Sequence, residues 1–139
     1  MEARRKAEEE ARAQAQEEKR RARALLMRYP TREVHDQERF KALAQVDDVV
    51  DATRKRIDAL QLEAKKNTAE LEFYQGDVNK APPALRRQID HVRQSLEAQE
   101  RFIQAQQGER LRIHARFDEE LVRLRELWRA QEQTAAPRP

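Results

Sequence analysis

The feature that most constrains the fold of this chain is a pair of apolar stripes on either side of one short loop, residues 76–83. Residues on each side of the loop recur at alternating three- and four-residue spacing, which places each stripe along one face of a helix. A short connection brings sequential helices together antiparallel and buries both stripes at a low cost in loop-closure entropy. The sequence therefore predicts an all-α fold centred on a long antiparallel helical hairpin, a coiled coil.

The two stripes define the predicted seam of the hairpin. Before the loop the stripe consists of Leu43, Val46, Val50, Thr53, Ile57, Leu60, Ala64, Asn67, Leu71 and Tyr74, with Phe40 one step ahead of it. After the loop it consists of Leu85, Ile89, Val92, Leu96, Gln99, Ile103, Gln106, Arg110, Ile113 and Phe117. Folding the chain about a centre near Asn79 places Leu71 near Ile89, Leu60 near Gln99, and Leu43 near Phe117.

Four seam positions carry polar side chains, namely Thr53, Gln99, Gln106 and Arg110. Polar residues at core positions of a coiled coil fix its register at a cost in stability. The alternative interpretation is a recognition point, where the seam opens to a partner. Arg110 and Arg112 also lie across the seam from an acidic cluster, Asp47, Asp48 and Asp51, and this placement indicates salt bridging rather than cation binding.

Proline and glycine set the expected helix boundaries. Pro30 ends the helix before it because the residue preceding a proline disfavours the helical region, and Thr31 can cap the next helix. Gly76 can adopt the left-handed conformation that ends a helix, and Pro83 suits the first turn of the helix that follows. The predicted organisation is a charged Ala/Glu/Arg-rich helix or spacer over 1–29, the hairpin over 31–133 with its turn at 76–83, and a disordered tail over 134–139.

Within the hairpin, helices are expected over residues 32–75 and 83–131. Beyond Phe117 the apolar positions slip one place from the strict repeat, which predicts local unwinding of the supercoil. The predicted pairing also brings Trp128 near Thr31. A small aromatic core is therefore expected at the open end of the hairpin, formed by Trp128, Tyr29, Leu26 and Leu127.

Composition favours long helices over a broad globular core. Charged residues make up 40% of the chain and aromatic residues 5%, and only two residues are glycine. The 29 basic and 26 acidic residues give a net charge of +3, and their signs are interspersed, which is typical of a solvated surface. The absence of cysteine excludes disulfides, thiol catalysis and cysteine-based zinc sites.

No group of residues has the pattern of a catalytic, cofactor or metal site. The histidines are His35, His91 and His114, which stand far apart in the chain. A metal site needs several converging ligands, and a two-helix hairpin offers no concave active site. We therefore expect a non-enzymatic protein without a cofactor or bound metal.

A basic tip at the loop supports an alternative function. Lys80, Arg86 and Arg87 lie at or just after the turn, and helical hairpins can serve as RNA-binding arms. Base stacking would need free aromatic side chains. The seam interpretation instead places the aromatic residues at or beside the seam, namely Phe40, Tyr74, Phe102 and Phe117, so nucleic acid is the less favoured partner.

A protein partner is the expected one, either a second copy of this chain or a heterologous helix. Two helices leave part of their stripes exposed, which favours a homodimer of four helices. Apolar residues off the seam support this expectation, namely Val49, Leu62, Phe73, Phe102 and Leu111. Residues 2–10 contain no apolar segment of the length that a signal peptide or a membrane span requires, so no span is expected.

Four segments resemble the C-terminal coiled-coil part of uncharacterised proteobacterial envelope proteins: ALLMRYPTREVHD, ALAQVDDVVDATRKRIDAL, ELEFYQGDVNKAPPALRRQID and RFIQAQQGERLRIHARFDEELVRLRELW. The resemblance covers about residues 24–129, and the YP break and the FYQG…PPALRRQ turn are its most distinctive marks. Such proteins also carry a secretion signal and a small N-terminal domain of unknown function, neither of which is in this sequence. The resemblance implies an envelope-associated structural or interaction role without an assigned activity, and it leaves the compartment open between periplasm and cytoplasm.

Overall fold

The computed structural model describes residues 1–135, and over that range the chain is helical without any strand. It forms three α-helices, α1 (Glu2–Arg28), α2 (Arg32–Leu71) and α3 (Pro83–Ala135). The predicted all-α class is therefore confirmed, and the long second and third helices are those expected of a helical hairpin. Within residues 1–135, no helix has an apolar stretch long enough to cross a membrane.

The break between α1 and α2 forms as the sequence predicts. Tyr29 caps the end of α1, and its backbone N–H donates to the Leu25 carbonyl oxygen at 2.8 Å. Pro30 follows, and Thr31 Oγ1 then accepts a hydrogen bond from the backbone N–H of Val34 at 3.3 Å. This bond satisfies one of the donors that a helix N-terminus leaves without a partner, so α2 begins at the next residue.

The connection between α2 and α3 begins earlier than the sequence predicts. α2 ends at Leu71 rather than at Gln75, and a 3-10 turn at Glu72–Tyr74 follows it. Gln75 and Gly76 both adopt left-handed conformations, with φ of 60° and 67°, and the Gly76 N–H donates to the Leu71 carbonyl at 3.0 Å. This six-residue closure satisfies a helix-terminal carbonyl, which explains why the α-helical hydrogen bonds stop early.

A second 3-10 turn, Val78–Lys80, completes the loop before α3 begins at Pro83 as predicted. The Asp77 carboxylate accepts a hydrogen bond from the Asn79 N–H at 3.0 Å. At the other end, α3 continues to Ala135, four residues beyond the expected end at Gln131. Of the predicted disordered tail, residues 134 and 135 belong to α3 and the rest lies outside the described residues.

The chain divides into two compact units. The hairpin unit comprises residues 42–113, which include most of α2, the turn and the first part of α3. The three-helix unit comprises residues 1–41 and 114–135, which include α1, the start of α2 and the last part of α3.

The core of the hairpin unit is the predicted seam. Every predicted seam residue between 43 and 113 is buried or half-buried. The fully buried side chains on α2 are Val46, Thr53 and Leu60, and those on α3 are Leu85, Val92 and Ile113. The spacing of the buried residues is a multiple of seven on each helix, which is the repeat of a coiled coil.

The core of the three-helix unit is an aromatic cluster that joins all three helical segments. Tyr29, His35 and Leu124 have no exposed surface, and Phe117 has 1%. The Trp128 indole N–H donates to the Tyr29 carbonyl oxygen at 3.0 Å. The predicted pairing of Tyr29 with Trp128 is therefore confirmed, and Leu26 and Leu127 are half-buried beside them in the chain.

Candidate interaction surface

Along one side of the seam of the hairpin unit, a row of residues is only partly shielded from solvent by α2 and α3. The alternate seam positions of α2 are Leu43, Val50, Ile57, Ala64 and Leu71, and all five are only half-buried. Between the buried residues of α3 lie the half-buried Ile89, Leu96 and Ile103. We call these eight residues the open row. They are apolar, and they recur every seven residues, so each helix presents them along one continuous line.

The open row of α2 and that of α3 lie on the same side of the hairpin unit. Near the turn they enclose a groove of about 230 Å³. The groove is lined by Ala64, Asn67, Thr68, Leu71, Ile89, Val92, Arg93 and Leu96. Leu71 and Ile89, which the sequence pairs across the seam, are both in this lining, so that part of the predicted register is confirmed.

The four polar seam residues occupy distinct environments. Thr53 is 6% exposed, and its hydroxyl donates to the Val49 carbonyl oxygen at 2.7 Å, within its own helix. Gln99 and Gln106 are half-buried. Arg110 Nη1 lies 2.5 Å from Asp47 Oδ1 on the facing helix. The predicted salt bridge to the acidic cluster is therefore present for Arg110, whereas Arg112 pairs with Glu109 of its own helix at 3.0 Å.

One of the three basic residues predicted at the tip already has a hydrogen-bond partner within the turn. Lys80 Nζ donates to the Gln75 Oε1 atom at 2.5 Å, so this ammonium group is used to hold the turn. Arg86 and Arg87 are exposed. Phe73 is 85% exposed and lies in the first 3-10 turn, where it shares a groove with Ala84 and Gln88 of α3.

Two of the aromatic residues predicted at or beside the seam are exposed to solvent. Phe40 is 73% exposed and Phe102 is 42% exposed. Arg39, the residue before Phe40, turns inward in the three-helix unit, where its Nη2 donates to Asp118 Oδ1 at 2.6 Å and to the His114 carbonyl at 3.2 Å. Because the heptad continues through Arg39, Phe40 falls beside the seam, towards solvent.

The aromatic cluster of the three-helix unit includes a residue that the sequence does not single out as core, His35. Its ring packs edge-on against Tyr29, with centroids 4.7 Å apart, and lies 5.0 Å from the Phe117 ring. His35 Nε2 lies 3.2 Å from Glu120 Oε1, while the other ring nitrogen and the Tyr29 hydroxyl have no hydrogen-bond partner. Burial, with a contribution from the Glu120 carboxylate, raises the pKa of Tyr29.

Helix α1 changes character along its length. Residues 1–16 are exposed on every side, whereas Ala22, Leu25 and Leu26 are half-buried. Ala22 and Leu25 share a groove with Arg123 of α3, so the end of α1 lies against α3. Near the middle of α1, Arg20 and Arg21 both contact Glu17 and hold its pKa at about 2.

The off-seam apolar residues are exposed, as expected, but they do not line the groove. The exposed fraction is 40% for Val49, 56% for Leu62 and 72% for Leu111. Four residues of the open row line the groove instead, namely Ala64, Leu71, Ile89 and Leu96. The sequence pattern assigns the open row to the seam without distinguishing it from the buried positions.

Within residues 1–135, no three acidic or histidine side chains converge in a way that could hold a metal ion. Comparison of the chain with protein families, with curated proteins and with solved structures found no match. The geometry of the open row and of the aromatic cluster is therefore the basis for any functional inference.

Proposed function

We propose that this chain is a non-enzymatic coiled-coil module that binds another helical protein through the open row of its hairpin unit. The observation that carries the proposal is the half-burial of eight apolar residues along one side of the seam. Leaving such side chains partly in water forfeits about 25 cal/mol for every Å² of apolar surface, which an added helix would recover. An amphipathic helix laid into an apolar groove is a recurring mode of protein recognition.

The partner is a protein, either a second copy of the chain or a heterologous helix. The resemblance of residues 24–129 to bacterial envelope proteins supports an envelope-associated structural or interaction role. Charged residues of both signs surround the seam. They favour a partner helix whose own apolar stripe contacts the open row and whose charged residues form ion pairs at the edge of the contact.

Site-specific photo-crosslinking in the cells that produce the protein tests this function. A photoreactive phenylalanine replaces Leu96 in the open row, and a matched variant carries it at Lys55, an exposed position of α2 that is not part of the seam. We expect covalent adducts from position 96 and few from position 55, with mass spectrometry identifying the adduct. If position 96 gives no adduct with any protein, including a second copy of the chain, the open row does not bind a protein.

RNA binding at the tip is the second candidate function, and Phe73 favours it, because this exposed ring lies at the same end of the hairpin as Arg86 and Arg87. An exposed ring at the tip could stack a base while the guanidinium groups of the tip contact phosphates. Reversal of Lys80, Arg86 and Arg87 to glutamate should then abolish a salt-dependent affinity for single-stranded RNA. Equal binding by the wild-type chain and the triple variant in a filter assay would eliminate this candidate.

A further inference from the structure

We infer that the middle of α3, residues 99–110, is a segment that opens locally and separately from the helix on either side of it. The segment lies wholly within the hairpin unit. Three features of the segment support the inference: the burial of α3 is interrupted there, the seam is polar there, and the helix contains a glycine there. Such an opening is a property of one chain, so it does not depend on the proposed function.

The segment interrupts the burial of α3. Leu85 and Val92 are buried before it, at 5% and 4% exposure, and Ile113 and Phe117 are buried after it, at 7% and 1%. From residue 93 to residue 112, every residue of α3 is exposed or half-buried. At about 1.5 Å per residue, this stretch is about 30 Å long. A region with few buried apolar contacts has a low free energy of local opening.

The part of α2 that faces the segment adds little apolar burial. The ion pair between Asp47 and Arg110 joins facing positions of the two antiparallel helices, so residues 99–110 face about residues 47–58. Within residues 47–58 the one buried side chain is that of Thr53. Its hydroxyl donates to the Val49 carbonyl oxygen at 2.7 Å, so this hydrogen bond stays within α2 and does not join the helices.

The seam residues of the segment itself are mostly polar. Ile103 is apolar, whereas Gln99, Gln106 and Arg110 are not, and all four are half-buried. Arg110 and Asp47 are 41% and 54% exposed, so solvent screens the attraction between them. Polar side chains at seam positions lower the stability of a coiled coil. Opening therefore gives up less apolar burial here than at the two ends of the seam.

Gly108 weakens the helix at the same place. It lies in the interior of α3, where glycine is a much poorer helix former than alanine. A Cβ atom at this position would lie 3.6 Å from Arg112 Nη1, which is an ordinary van der Waals distance, so lack of space does not require a glycine. The glycine therefore favours opening without serving the packing of the closed helix.

Local opening of residues 99–110 separates the two ends of the seam of the hairpin unit. The end near the turn keeps the buried Leu85 and Val92, and the other end keeps the buried Val46 and Ile113. The helical hydrogen bonds between these ends break and re-form. Each end can then change its packing without the other, so the segment acts as a hinge within the hairpin unit.

Amide hydrogen exchange on the full chain, followed by NMR, tests the inference. Protection factors correct each amide for its intrinsic exchange rate, so glycine and polar residues are compared fairly with the rest of the helix. We expect protection factors over residues 99–110 to be at least about tenfold lower than over residues 87–96 and 113–124. Low concentrations of urea should change them little, because a local opening exposes little surface.

Gly108→Ala and a matched control complete the test. Gly108→Ala should raise the protection factors of residues 99–110 about fivefold, which corresponds to about 1 kcal/mol of helix propensity. It should leave those of residues 87–96 unchanged. The control, Gln104→Ala, changes an exposed residue of the same segment, and it should raise them about twofold or less because glutamine is itself a good helix former.

Low protection over residues 99–110 that Gly108→Ala raises more than the control does supports the inference. Uniform protection along α3 overturns it, as does a urea dependence as steep over residues 99–110 as over residues 87–96. Equal effects of Gly108→Ala and Gln104→Ala also overturn it. None of these results depends on photo-adducts from position 96, so the proposed function succeeds or fails separately.

Discussion

The two units of this protein use the same pair of helices but solve the problem of burial differently. In the three-helix unit, Tyr29, Phe117 and Leu124 are almost completely removed from water. In the hairpin unit, only six seam positions are buried, namely Val46, Thr53, Leu60, Leu85, Val92 and Ile113, and the rest of the seam, including the open row, remains half exposed. The two units differ in the number of helical segments. In the hairpin unit, α2 and α3 cover each other and leave one side of the seam exposed, whereas in the three-helix unit a third segment, α1, packs against them.

Helix α1 is the element that creates this difference. Its last turns contribute Ala22, Leu25 and Leu26, which are half-buried within the three-helix unit, and its end supplies the buried Tyr29. The hairpin unit has no such segment of its own. A third helical segment therefore covers apolar side chains that two helices leave half exposed, and this contrast is the basis for proposing that a partner covers the open row.

The largest expected effect is the loss of a buried leucine in the three-helix unit. Leu124→Ala should lower the local free energy of unfolding by about 3–5 kcal/mol, because the side chain has no exposed surface and its removal leaves a cavity. Amide hydrogen exchange can resolve this loss within residues 114–135. A loss below about 1 kcal/mol there would show that the three-helix unit is not tightly packed.

The next largest effect is a difference in the free energy of unfolding between two leucine variants of the hairpin unit, measured in dilute solution. Leu60→Ala should cost about 2–4 kcal/mol because Leu60 is fully buried, whereas Leu96→Ala in the open row should cost about half as much. Urea titrations followed by circular dichroism measure both. Equal losses from the two variants would remove the distinction between the buried positions and the open row.

A smaller effect is expected from Tyr29→Phe. The Tyr29 hydroxyl is buried without a hydrogen-bond partner, so its removal should leave the three-helix unit equally stable or stabilise it by about 1 kcal/mol. A stability loss of more than about 1 kcal/mol in thermal unfolding would indicate that the hydroxyl makes a bond in solution.

Tyr29 also predicts how the three-helix unit responds to base. Its folded-state pKa is raised above the ordinary value of 10.0, chiefly by burial. The stability that depends on the neutral phenol is therefore complete below pH 10 and is lost as the pH rises from 10 through the folded-state pKa. Tyr29→Phe should reduce this alkaline loss, and identical pH profiles for the two proteins would contradict the assignment.

The smallest effect concerns the ion pair across the hairpin unit, Asp47 with Arg110. Both side chains are substantially exposed, at 54% and 41%, so solvent screens their attraction. A double-mutant cycle with Asp47→Asn and Arg110→Gln should give a coupling energy of about 0.2–1 kcal/mol that declines with salt. A coupling above about 2 kcal/mol would mean that the pair is more enclosed than its surface indicates.

Much of the fold follows from the sequence because its signals are local. The three-and-four spacing of apolar residues predicts the helices and the faces that pair. Pro30 and the loop from Gly76 to Pro83 predict where the chain breaks between them. The early end of α2 at Leu71 was missed, because it depends on the joint left-handed conformation of Gln75 and Gly76. Two adjacent left-handed residues, one of them not glycine, have no simple sequence signal.

The candidate surface was predicted only in part. A heptad identifies which residues approach the seam, but it does not show which of two alternating rows is covered, since that depends on the rotation of each helix about its axis. His35 was also missed as a core residue, because its burial among Tyr29, Phe117 and Glu120 joins segments far apart in the chain. Such long-range neighbours give no signal in a single sequence.

Thiol labelling of three single-cysteine variants tests the central claim most directly, that the open row is uncovered in one chain and covered by a partner. The variants are Leu96→Cys in the open row, Leu124→Cys in the three-helix core and Lys55→Cys on the surface. We predict that position 96 reacts faster than position 124 in dilute solution and slows as protein concentration rises, while position 55 stays fast throughout. If position 96 is as slow as position 124 when dilute, the claim is contradicted. One rate at every concentration would exclude a second copy as the partner.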